Sequence, residues 1–141
     1  MRKIIITGHG HYATGMKSAL ELLAGPSSDI IAVDFTIDMN EDDLQAQFQQ
    51  LTEQIEVIFV CDILGGTPYK QAAIVANKND QIEVVAGCNL GSVLEATFKE
   101  HTPISELVTN MVNVSKQSTV QFKKVQDGDT YQPDNSFEVG I

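Results

Sequence analysis

Short runs of consecutive apolar residues alternate along the chain with stretches in which apolar positions recur every three or four residues, as expected of parallel β-α-β units. Residues 3–7 carry Ile4-Ile5-Ile6 without alternation, which predicts a strand buried on both faces. Met16, Ala19, Leu20 and Leu23 fall at helical spacing and predict a helix over 16–23 that stops at Gly25-Pro26. A second strand is predicted over 30–35. Asn40-Glu41-Asp42-Asp43 then offers an N-cap and an acidic first turn to a helix whose Leu44, Phe48, Leu51 and Ile55 form one stripe. Residues 57–61 predict a third buried strand, closed by Asp62. Gly65-Gly66-Thr67-Pro68 leads into a helix over 68–77, with Thr67 as its expected N-cap and Pro68 as its first residue. A fourth strand follows over 82–86, then helices over 91–99 and 105–115. Residues 119–125 are partly alternating and polar, which predicts a strand at a sheet edge or one paired across a subunit boundary.

The pattern predicts one α/β domain over residues 1–125 and an acidic tail over 126–141. That tail holds Asp127, Asp129, Asp134 and Glu138 with no basic residue, and is expected to be loosely held. A length of 141 residues suits a single core that needs neither disulfides nor metals. Apolar residues at 43% and charged residues at 20% exclude a disordered regulator or a coiled coil. Nine basic against 19 acidic residues, a formal charge of −10, exclude nucleic acid as a partner, since no basic run is present to neutralise phosphates. The same charge is compatible with docking onto a basic patch of another protein. Cys61 and Cys88 sit inside apolar runs without ligand-like spacing, which predicts reduced, buried thiols. The N-terminal apolar run is too short for a signal segment or a membrane span, so a cytoplasmic chain without membrane insertion is expected.

Sites in open parallel sheets form beyond the carboxyl ends of strands, where the strand order reverses. Two polar segments occupy such ends: Gly8-His9-Gly10-His11 after the first strand, and Asp62 through Pro68 after the third. With strand order 2-1-3-4 they face each other, and His9 and Asp62 can meet. A histidine between two glycines is open to a bulky partner. An aspartate on one ring nitrogen fixes the tautomer, leaves a lone pair on the other, and balances the cation that forms on substitution. Gly65, Gly66 and Thr67, ahead of a helix N-terminus, present donors suited to a dianionic phosphoryl group. Together these residues read as a phosphohistidine site.

Plainer readings stand beside that one. Gly-Gly before a helix is ordinary punctuation, Asp62 can be a polar strand terminus, and Thr67 caps a helix whatever else it does. His11 is expected on the rim, Asp34 has no evident partner, and His101 is expected in solvent. Tyr12 and Tyr69 suit either a docking rim or packing. One rival is a zinc hydrolase using His9, His11 and Asp62. A second rival is a regulatory binding domain that transfers nothing.

The succession of an apolar strand, His9-Gly10, then Asp62-x-x-Gly65-Gly66-Thr67-Pro68 and Ala86-Gly87-Cys88-Asn89 resembles the IIA components of the mannose family (mannose, fructose and sorbose types) of the bacterial phosphoenolpyruvate-dependent sugar phosphotransferase system. The resemblance covers residues 1–125. It implies a four-stranded parallel sheet of order 2-1-3-4 with helices on both faces, plus a C-terminal strand, here 119–125, exchanged in a homodimer. It also implies that His9 accepts a phosphoryl group from the phosphocarrier protein and hands it to a histidine of a IIB component, here expected on a separate chain. Asp62 would orient His9, and Gly65, Gly66 and Thr67 would hold the phosphoryl group, with no cofactor and no metal. Position 11 is often apolar or aromatic in that family, and His11 departs from this. The sugar meets other components, so no pocket in this chain needs to encode it.

Overall fold

A computed structural model describes residues 2–126 together with Gly128 and Thr130. Its elements are β1 (Arg2–His9), α1 (Tyr12–Ala24), β2 (Ile30–Phe35), α2 (Glu41–Leu51), β3 (Glu56–Cys61), α3 (Thr67–Ala76), β4 (Ile82–Ala86), α4 (Leu90–Thr97) and α5 (Ile104–Ser118). The four strands form one parallel sheet in the order β2-β1-β3-β4, as expected.

The unbroken apolar runs of β1 and β3 follow from two-sided burial. Ile4, Ile6, Ile58 and Val60 point into a core shared with Leu20, Leu94, Leu107 and Met111 of α1, α4 and α5. Ile5, Val57, Phe59 and Cys61 point the other way, against Leu44, Phe48 and Ala72 of α2 and α3. Successive strand residues thus serve opposite faces, and both faces are covered by helices. Phe48 and Phe59 meet with ring centroids 4.6 Å apart. Both cysteines are buried free thiols, and burial, then the charge of Asp62, pushes the Cys61 thiol up to about 12.

Several boundaries differ from expectation for physical reasons. β1 extends through His9 because Gly8 and His9 continue the ladder opposite Asp34 and Phe35 of β2. α1 starts at Tyr12, four residues before the expected Met16, because the Asp34 carboxylate of β2 caps its first turn through the Thr14 N–H at 3.0 Å and the Thr14 hydroxyl at 2.7 Å. A cap supplied from another strand leaves no trace in local spacing. α2 opens with a capping box between Asn40 and Asp43 and ends at Leu51, so Ile55 lies beyond the helix, packed against the α2-α3 core. Thr67 is not the N-cap of α3. Gly66 holds that position in extended backbone, Thr67 is the first helical residue and makes no cap hydrogen bond, and the helix begins one residue early.

Residues 119–125 form no strand in the single chain, where Val120, Phe122 and Val125 are exposed. Apart from Gln126, Gly128 and Thr130, the expected acidic tail lies outside the described residues. Among the described residues no helix is long and apolar enough to cross a membrane.

Candidate active site

The sheet's strand order reverses between β1 and β3, and the carboxyl ends of these strands hold His9 and Asp62 side by side. The Asp62 N–H continues the ladder to the Thr7 carbonyl at 3.2 Å, which seats its side chain beside the end of β1. One carboxylate oxygen, Oδ2, accepts both the His9 backbone N–H at 2.8 Å and His9 Nδ1 at 2.7 Å. The other, Oδ1, accepts the Ile63 N–H at 2.8 Å. Burial raises the Asp62 carboxyl, but these hydrogen bonds and the His9 ring outweigh it and hold it below the ordinary value. An ionised carboxylate only accepts, so the ring proton belongs on Nδ1 and the lone pair on Nε2.

Two glycines make the approach sterically feasible. A Cβ at Gly8 would stand 2.6 Å from Tyr12 Cδ1 and 2.8 Å from Asp62 Cβ and Cγ, so a side chain there is incompatible with the pair. A Cβ at Gly66 would stand 2.8 Å from His9 Cε1, the ring carbon between the two nitrogens. The N-terminus of α3 is therefore laid against the ring at Cε1, the carbon bonded to Nε2 as well as to Nδ1. Gly65 turns into it with φ of 81°, in the left-handed region that favours glycine. The Gly66 N–H is spent on Ile63 O at 3.3 Å and Pro68 has none. Helix geometry leaves the Thr67 and Tyr69 N–H groups without partners inside the helix. The Thr67 hydroxyl, free of cap duty, adds a further donor.

Asp34 has partners that local sequence did not reveal. His11 Nδ1 lies 3.0 Å from its Oδ2, beside the Thr14 contacts. The Nδ1 atoms of the two histidines are thus taken by different carboxylates, Asp34 of β2 and Asp62 after β3. The zinc reading needs His9, His11 and Asp62 to converge, whereas the His11 ring is bonded to Asp34 instead of joining Asp62. Among the described residues no group of three or more His, Cys, Asp or Glu side chains is placed to hold a metal. His101 is exposed as expected, 3.6 Å from Glu100. Tyr12 and Tyr69 pack against the two cores.

Phe35 was not singled out from sequence. It ends β2 opposite His9, and the two rings meet edge to face with centroids 5.9 Å apart at 76°. Strand register was the only signal that could have found it. The His9 side chain is half exposed, and Ile37, Ile63 and Leu64 are exposed in the loops after β2 and β3 at the same end of the sheet. A cavity of about 310 Å³ lies at the opposite end, lined by Arg2, Asp29 and Glu56. The Arg2 guanidinium there is engaged by Glu56 and by the Lys99 and Thr102 carbonyls.

The family model described as PTS system fructose IIA component matches residues 3–126. The fructose-specific EIIA component of Bacillus subtilis is 33% identical over 123 residues, covering 84% of each chain. The sorbose-specific EIIA component of Lacticaseibacillus casei is 29% identical over 122 residues, covering 82% of this chain and 86% of that one. Among solved structures, phosphotransferase system component EIIA from Streptococcus agalactiae superimposes with a TM-score of 0.80 at 28% identity, covering 86% of this chain and 97% of that one. The mannose/sorbose specific IIA subunit from Enterococcus faecalis, at 22% identity and a TM-score of 0.82 over 89% of this chain and 97% of that one, shares the fold. With a family match over residues 3–126 that includes both site loops, the chain belongs to the mannose family of IIA components of the sugar phosphotransferase system.

Proposed function

We propose that His9 carries the phosphoryl group, taking it from the phosphocarrier protein and passing it to a histidine of a IIB component. The observation that carries this reading is the 2.7 Å contact between His9 Nδ1 and Asp62, which leaves Nε2 open beside the Gly66 turn. In the forward step the Nε2 lone pair attacks phosphorus as the phosphorus–nitrogen bond of the donor histidine breaks. The Nδ1 proton stays against Asp62, whose negative charge balances the ring. Charge on the transferring group spreads over three equatorial oxygens. The Thr67 and Tyr69 N–H groups, the Thr67 hydroxyl and the positive end of α3 are arranged to meet it. Onward transfer reverses these events toward the IIB histidine. The nucleophile is the ring's own lone pair and the donor supplies the phosphorus–nitrogen bond that breaks, so the step asks no metal or cofactor of this chain.

A half-exposed acceptor at the end of the sheet that also exposes Ile37, Ile63 and Leu64 suits protein donors and acceptors better than an enclosed small substrate. The same reading includes a homodimer in which residues 119–125 add a strand to the partner's sheet. Alternation of exposed Val120 and Phe122 after the last helix, with each outer strand of the sheet paired on one side only, supports it.

Incubation with phosphoenolpyruvate, the general first enzyme of the system and its phosphocarrier protein tests the acceptor. One acid-labile, base-stable phosphoryl group is expected on His9, and none on the His9→Ala variant. Label on His9→Ala from the protein donor, or labelling that depends on zinc bound to this chain, would overturn the assignment. Labelling of His9 that no IIB component can discharge would favour the regulatory domain instead.

A further inference from the structure

We propose that His11 is a second phosphoryl-accepting histidine, oriented by Asp34 and open to a small, diffusible phosphoryl donor. The His11–Asp34 pair repeats the chemistry of His9–Asp62 on the other side of β1. Asp34 Oδ2 lies 3.0 Å from His11 Nδ1 and accepts the Thr14 hydroxyl at 2.7 Å, while Oδ1 accepts the Thr14 N–H at 3.0 Å. Three contacts fix the carboxylate, whose side chain is 14% exposed, whereas the His11 side chain is 85% exposed. Burial raises the Asp34 carboxyl, but the bonds from His11 and Thr14 outweigh it. As with Asp62, an ionised acceptor puts the ring proton on Nδ1 and the lone pair on Nε2.

The two sites are separate. Asp34 stands opposite Gly8 on the β2 side of β1, while the Asp62 N–H meets Thr7 O on the β3 side. His11 follows Gly10, at φ of 58°, and stands at the N-cap position of α1, where its side chain makes no cap hydrogen bond. A protein donor is oriented by the His9 site, whereas a small donor reaches the exposed His11 ring directly from solvent. His101 is an internal control. It is 95% exposed, yet its contact is the adjacent Glu100 at 3.6 Å from Nε2, the nitrogen that Asp34 leaves open in His11.

With phosphoramidate as donor, the His11 Nε2 lone pair forms a bond to phosphorus as the donor's phosphorus–nitrogen bond breaks. Ammonia departs with that electron pair and takes a proton from water. Nδ1 keeps its proton, and Asp34 balances the charge on the ring. Histidine modification is read site by site by mass mapping after phosphoramidate treatment of the full-length His9→Ala chain. Because His9 is absent and no protein donor is used, the outcome is independent of the phosphocarrier reading. The expected result is labelling of His11 several-fold faster than His101, with Asp34→Asn bringing the two rates together. Equal rates in the His9→Ala background, or an unchanged His11 rate when Asp34→Asn is added and the circular dichroism spectrum is retained, would overturn the proposal. Should Asp34→Asn unfold, labelling of His9→Ala in a denaturant series decides. The His11 excess must vanish as the chain unfolds, and an excess that persists in the unfolded chain overturns the proposal.

Discussion

A single oxygen of Asp62 holds His9 at two points, its backbone N–H at 2.8 Å and its ring Nδ1 at 2.7 Å. The main-chain bond thus seats Oδ2 in front of the ring, and the Asp62 carboxylate cannot swing away from Nδ1 without also giving up that main-chain bond. Rotation about χ1 and χ2 is the freedom that a transfer site must suppress, because effective collision depends on the orientation of Nε2.

Asp62→Asn is expected to slow phosphoryl transfer through His9 on the order of 100-fold. An amide can still hydrogen-bond the ring, but it cannot balance the imidazolium charge, and it can support the wrong tautomer. Rapid-quench kinetics with the phosphorylated phosphocarrier protein measure this, and a wild-type rate would reduce Asp62 to a strand terminus.

Gly66→Ala is expected to impair transfer more than folding. Its Cβ would stand 2.8 Å from His9 Cε1 and 3.0 Å from Ile63 Cγ2, so the half-exposed ring is the group that gives way. The thermal midpoint should fall modestly, by the equivalent of about 1 kcal/mol, while labelling drops sharply. A variant that labels normally would show that the α3 terminus does not need to touch the ring.

Thr67→Ala removes a hydroxyl that makes no cap hydrogen bond. Stability should stay within about 0.5 kcal/mol of the parent, and the transfer rate should fall several-fold. Urea unfolding and transfer kinetics on one preparation separate the two. A loss of stability without a change in transfer would make the threonine structural.

Acid should weaken the fold through both aspartates. Asp34 and Asp62 are each held below the ordinary carboxyl value of 3.8 in the folded chain. Their contribution is therefore complete above the unfolded value and is lost as pH falls through the folded one. Thermal midpoints measured from about pH 6 down to about pH 2 should drop along a limb that Asp62→Asn and Asp34→Asn each flatten. Parallel limbs in parent and variants would contradict the assignment.

Sedimentation at micromolar concentration is expected to show a dimer. Removal of residues from Thr119 onward should leave a less stable chain, because exposed Val120 and Phe122 would no longer cover a partner's sheet edge. A persistent monomer, or unchanged stability after truncation, would remove the exchanged strand.

The sequence by itself determined the β-α alternation, the four strands and the two glycine-bearing loops that carry His9, Asp62 and the Gly65-Gly66-Thr67 turn to the switch point. These are legible because two-sided burial writes continuous apolar runs, and because a switch-point loop must break them with glycine and polar residues. Only the tertiary structure decided what depends on strands brought together from distant parts of the chain. The cap that Asp34 places on α1, the pairing of Asp34 with His11, and the packing of Phe35 on His9 all arise from β1-β2 register. The exchange of Thr67 for Gly66 at the α3 cap has a tertiary cause as well. The close approach of α3 to the His9 ring leaves no room for a Cβ at Gly66, so the extended residue that opens the helix is the glycine, and the better capping side chain stands one position inside.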